Sequence, residues 1–137
     1  MTITRPTGAV KSIFGEDLTI VRNEASSFTT AQVWESKAQI EAPQKAGEFT
    51  LDFYIEVNVN NIAGAGELRV VDILNGQDEL AYLKLNFPAD DNFEPFSGSI
   101  PVTLDGAAHT YDLQFKRGGD LSTVEVRRAR LKLYRIK

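Results

Sequence analysis

The chain has 137 residues, 42% of them hydrophobic and 25% charged, which is the size and balance of one ordinary globular domain. No apolar run approaches the roughly 20 residues a membrane-spanning helix needs, and the composition excludes a disordered tail or a collagen-like rod. With no Cys and one His, disulfides, thiolate metal centres, a Cys nucleophile and a His-paired metal are all excluded.

Residues 1–15 hold Arg5 and Lys11 but no apolar core of signal-peptide length. They read as a loose N-terminal arm ahead of a single domain spanning 16–137. From there the dominant period is two, the mark of half-buried strands. Leu18 to Arg22 is the first strand. Phe28 to Trp34 and Ala38 to Ala42 form a second, interrupted one, although Thr30 to Ile40 also admits a short helix. The clearest alternation follows: Phe49, Leu51, Phe53, Ile55, Val57 and Val59 on one face, Thr50, Asp52, Tyr54, Glu56 and Asn58 on the other. Glu67 to Leu74 comes after the Gly64-Ala65-Gly66 break. Asn75-Gly76 reads as a tight hairpin turn, since both residue types tolerate positive φ. Leu80 to Phe87 returns, and the loop Pro88 to Phe96 carries two prolines that should end any ladder. Ser99 to Leu104 is short, and Asp105-Gly106 turns the chain into His109 to Lys116. Gly118-Gly119-Asp120 then leads to the last strand.

That last strand changes phase. Val124 and Val126 share one parity, while Ala129, Leu131 and Leu133 share the other. Shifting the apolar set by one residue needs a bulge, placed near Arg127-Arg128. About eight short strands in one chain point to an all-β, two-sheet antiparallel sandwich of jelly-roll topology. An immunoglobulin-like sandwich is the alternative.

The net charge of −4 is unevenly spread. Residues 1–115 carry 7 basic and 17 acidic side chains, residues 116–137 carry 8 basic and 2 acidic. The overall acidity argues against a nucleic-acid partner. Arg128, Arg130 and Lys132 share one strand face, and Glu48, Asp52 and Glu56 recur every four residues on the polar face of the Phe49 strand. Were these strands neighbours, as the third and last strands of many jelly rolls are, the charges would pair across the ladder. Tyr54 and Tyr134 stand on the same surfaces, and Tyr is enriched at interfaces. Tyr54, Glu56, Arg128, Arg130, Lys132 and Tyr134 are therefore the candidate subunit-contact residues.

Trp34, the one Trp, reads first as a core residue. As an exposed ring it would serve instead as a sugar-stacking platform, with Glu35, Ser36 and Tyr82 as polar company. Trp34, Tyr82 and Tyr111 are the candidate glycan contacts. Asp90-Asp91-Asn92-Phe93-Glu94 has hard oxygen ligands but not the spacing of an EF-hand loop, so no metal is expected. His109 could act as a general base, yet no motif ties it to Ser99 and Asp112 as a triad. The glycines lack the helix and the Lys-Ser/Thr pair of a phosphate loop. No cofactor, no catalytic role and no membrane contact are expected.

His109-Thr-Tyr-Asp-Leu-Gln-Phe-Lys-Arg117, a Gly-Gly turn, and Val124-Glu-Val-Arg-Arg-Ala-Arg-Leu-Lys-Leu-Tyr-Arg-Ile136 together resemble the closing strands of small jelly-roll domains in phage virion and tail proteins. The pattern is also similar to the tumour-necrosis-factor-like class, whose last-strand sheet faces a threefold axis. The resemblance covers about a third of the chain. It implies a structural or adhesive role in a virion, often as a homotrimer, with other virion proteins as partners. The proposed contact face departs from that class in being charged, where its trimer cores are more apolar and aromatic. A carbohydrate-binding module of the same sandwich class, extracellular or cytoplasmic, is the alternative.

Overall fold

A computed structural model describes residues 17–60, 66–85, 92–118 and 123–137. Among the described residues nine strands are present: β1 (Leu18–Asn23), β2 (Ser27–Thr29), β3 (Glu35–Glu41), β4 (Ala46–Asn60), β5 (Gly66–Asp72), β6 (Asp78–Leu85), β7 (Glu94–Asp105), β8 (Thr110–Arg117) and β9 (Thr123–Arg135). No helix occurs among the described residues, so the Thr30 to Ile40 stretch takes its strand reading. One sheet has the order β1-β9-β4-β7, with β2 also pairing β9. The other has the order β3-β8-β5-β6, and every pairing is antiparallel. This alternation of the chain between two four-membered rows is the jelly-roll order. The expected N-terminal arm lies outside the described residues.

The two inner faces make the core. Phe49, Leu51, Ile55, Val57 and Val59 of β4 lie beside Ala129, Leu131 and Leu133 of β9, all without exposed surface. Leu68, Val70, Leu113 and Phe115 close over them from the second sheet. Each such side chain contributes about 1.5–3 kcal/mol by leaving water.

The phase change in β9 is the bulge the apolar pattern requires. Tyr54 pairs with Arg130 but Glu56 pairs with Arg127, so three residues of β9 span two of β4. Arg128 carries the extra residue, with φ 52°. That single insertion keeps Val124 and Val126 inward together with Leu131 and Leu133.

Three local expectations change. The Pro88 to Phe96 loop gives way to strand at Glu94, and β7 contains both Pro95 and Pro101. β7 is an edge strand, where a missing N–H costs no ladder bond. In the β5–β6 turn the positive φ values fall on Gly76 and Gln77, one residue later than expected. Asn75 contributes its side chain instead, donating to Asp72 Oδ2 at 2.8 Å. Phe53 is only partly buried, because its ring lies over Gly98 of the edge strand.

Candidate functional site

Two outer sheet faces and one end of the sandwich carry the side chains of interest. On the five-stranded sheet, β4 and β9 are neighbours, so the acidic and basic rows do meet. Arg127 Nε donates to Glu56 Oε1 at 2.7 Å, and Arg128 lies 3.4 Å from the same carboxylate. The Tyr54 hydroxyl donates to Glu56 Oε2 at 2.7 Å. These donors hold the Glu56 carboxyl down to about 2, the tyrosine bond being the largest cause and the Arg127 bond the next. Arg127 in turn stacks on Phe93, 3.8 Å from the ring centre. Glu56 is thereby only 9% exposed, which removes it from the candidate contact residues. Its charge is consumed within the chain.

The rest of that face stays open. Arg130 sits over the Tyr54 ring at 4.5 Å and Lys132 over the Tyr134 ring at 4.9 Å. Asp52 lies opposite Lys132 in the ladder and accepts a 2.6 Å bond from Ser99 Oγ. The neighbouring strand β1 adds Leu18 and Ile20, 43% and 48% exposed, opposite Tyr134 and Lys132. It also places Arg22 opposite Arg130. A depression of about 290 Å³ lies among these residues. Ile20 and Arg22 were missed in the sequence, because a short strand with no exposed alternation rule of its own does not announce which strand it will border.

The outer face of the four-stranded sheet carries the aromatic candidates. Trp34 and Tyr82 meet edge to face, 6.5 Å between ring centres. Trp34 is half-buried on this outer face and not in the core, with the Arg69 guanidinium 4.3 Å and the Lys116 ammonium 4.8 Å from its ring centre. Beneath lies a continuous polar network. Ser36 Oγ donates to Asp112 Oδ1, Gln114 donates to Asp112 Oδ2 at 2.8 Å, and Arg69 donates to Gln114 at 2.6 Å. The Tyr82 hydroxyl donates to Glu67 at 2.6 Å, and this bond to a carboxylate pushes the phenol up to about 12. Tyr111 does not join them. It points inward and is 2% exposed, so its ring is closed to a glycan, and burial raises its phenol.

At one end, His109 is clamped. Its Nδ1 is 2.7 Å from Asp72 Oδ2 and its Nε2 is 2.9 Å from Asp105 Oδ1. The Asp105 and Asp72 bonds raise its pKa, because both favour the imidazolium. With each ring nitrogen held by a carboxylate, His109 has no lone pair for Ser99, which bonds Asp52 on a different strand pair. The three triad candidates are therefore not assembled. Asp90 and Asp91 of the acidic loop lie outside the described residues. Among those described, no three His, Cys, Asp or Glu side chains come together as metal ligands, and no helix is long and apolar enough to cross a membrane.

Sequence reasoning also missed Lys37. It occupies the β3 bulge, is 4% exposed, and donates to Ala25 O at 2.6 Å and Ser27 Oγ at 2.9 Å. Burial lowers its pKa. It shares the parity of the exposed Gln39 and Glu41, and only the bulge turns it inward, so alternation held no signal for it.

No family model matches the chain, and no curated protein matches it in sequence. Among solved structures, dimeric latent PorU from Porphyromonas gingivalis overlays with a TM-score of 0.53 at 10% identity, over 86% of this chain and 13% of that one. A carbohydrate-binding module of Cellvibrio mixtus lichenase 5A, in complex with cellotriose, gives 0.42 at 12% identity over 90% and 95% of the two chains. The infectious bursal disease virus VP2 subviral particle gives 0.44 at 11% identity over 86% and 36%. At 10% identity the likeness to the PorU structure is one of fold and extends to nothing else.

Proposed function

We propose that this chain is a non-catalytic structural and adhesive protein of a phage virion or tail, assembling through the outer face of its five-stranded sheet. The two-sheet core makes a rigid block, and the contact face supplies recognition. The observation that carries this reading is the open row Leu18, Ile20, Lys132 and Tyr134. Single exposed apolar residues are normal. Here two of them stand on one edge strand beside a tyrosine, with Phe28 of β2, 68% exposed, on the same sheet. Light scattering at high micromolar concentration tests it. The expected result is a mass several times that of one chain, with a trimer the arrangement the resemblance implies. A single-chain mass throughout would remove the assembly role.

A second reading is favoured by the Trp34–Tyr82 pair. An aromatic pair over a hydrogen-bonded polar network is the arrangement that takes the apolar face and hydroxyls of a sugar ring. Tyr82 is 48% exposed, so one ring of the pair is accessible. Glycan-array binding that is lost on Tyr82→Ala would support a carbohydrate-binding module. No binding by the intact protein would eliminate it.

A further inference from the structure

The five-stranded face has a charge imbalance that its own strands do not resolve. Arg22 and Arg130 are directly opposite in the β1–β9 ladder, and Lys132 follows two residues along on the same face. Like charges placed opposite one another in a ladder are unfavourable. Among the described residues no carboxylate forms an ion pair with any of the three. The one acid in the depression, Asp52, lies opposite Lys132 and also accepts a bond from Ser99, so it offsets one of the three charges and leaves the depression basic. Glu56, the nearest other acid of β4, is already shared by Arg127 and Arg128. Three exposed cations thus border a depression lined also by Ile20 and Tyr54, and cations so clustered attract carboxylates.

We infer that this depression receives carboxylates from a second copy of the chain, and that the contact is heterologous, head to tail. The inference rests on the assembly reading above. Its occupant is a second copy because the chain supplies the complementary charge: 17 of its 19 acidic residues lie in residues 1–115, outside the basic final strand. An isologous contact centred on this depression would set Arg22, Arg130 and Lys132 of one copy against the same three cations of the other. The acids must come from elsewhere on the neighbour. Asp78 and Glu79 are the one adjacent pair of exposed carboxylates among the described residues. They open β6, the edge strand of the other sheet, next to Leu74, which is 55% exposed. That tip offers two charges and an apolar side chain to a depression offering cations and Ile20. Because donor and acceptor lie on different sheets, the contact repeats around a ring or along a filament, and a closed ring of three is one such solution.

Sedimentation velocity on the intact chain and three variants tests this. The wild type should be oligomeric at about 0.05 M salt and shift toward single chains near 0.5 M, where screening is short-ranged. Arg130→Glu with Lys132→Glu should raise the dissociation constant by about tenfold or more, as should Asp78→Lys with Glu79→Lys. All four positions are exposed, and circular dichroism would verify that the sandwich is retained. Combining the four substitutions in one chain should restore association. An oligomer indifferent to salt and to both reversals would overturn the inference while leaving assembly standing. Failure of the combined chain to recover would overturn the assignment of Asp78 and Glu79. A wild type that never associates would overturn assembly and inference together.

Discussion

At the level of single residues, the chain repeatedly sets charge against charge inside its own surface. His109 shows this most clearly, joining the β5–β6 turn through Asp72 to the β7–β8 turn through Asp105. Folding favours its imidazolium, so its stabilising effect is complete below about pH 6.5 and is lost as pH rises through the elevated folded value. Titration by NMR should find the His109 pKa above 6.5, and Asp105→Asn should bring it down. An unshifted value would mean the clamp does not form. Glu56 works in the opposite direction. Its carboxylate is stabilised by folding, so that contribution is present above about 4.5 and is lost as pH falls through about 2. Leu131, without exposed surface, should cost about 2–5 kcal/mol on replacement by Ala, as read by denaturant unfolding. Gly98→Ala should destabilise by about 1–3 kcal/mol, since a Cβ there would stand 2.8 Å from the Phe53 ring.

At the level of elements, the strands were largely legible because period-two alternation reports directly on which face is buried. β4 shows this over residues 49–55, and so does the bulge in β9, since two apolar sets of opposite parity can share one sheet face only if a residue is inserted between them; β8 is buried on both faces despite its alternation. Deleting Arg128 removes that insertion and should flip either Val124 and Val126 or Leu131 and Leu133 to the outside. Circular dichroism and a cooperative melt would report the loss of the sandwich, and a deletion variant that melts like wild type would contradict the register. Proline misled the reading of β7, because a pattern cannot tell an edge strand from a central one. Trp34 misled it for a related reason: an outer sheet face with its own buried polar layer can hold a large ring as well as the core does. The network of Ser36, Asp112, Gln114 and Arg69 is assembled from three strands distant in sequence, and spacing along one strand carries no trace of it.

For the molecule as a whole, the sandwich accounts for the apolar half of the sequence and leaves the charge split to be explained by its surfaces. Part of that split is internal, through Glu56 with Arg127 and Arg128 and through Asp17, held low by Lys45 and Arg135. The remainder, Arg22, Arg130 and Lys132 beside Leu18 and Ile20, is left on one face with Asp52 the one acid lining the same depression. The candidate contact residues were therefore partly legible: Tyr54, Arg130, Lys132 and Tyr134 lie together on that face, and Arg128 borders it, while Glu56 is turned to internal use. The measurement closest to the central claim is the solution mass of the wild type beside that of Ile20→Lys, at the same protein concentration and low salt. Assembly through this face gives a multiple of 15.2 kDa for the wild type and 15.2 kDa for the variant. Equal masses for the two, whether both single or both assembled, would contradict it.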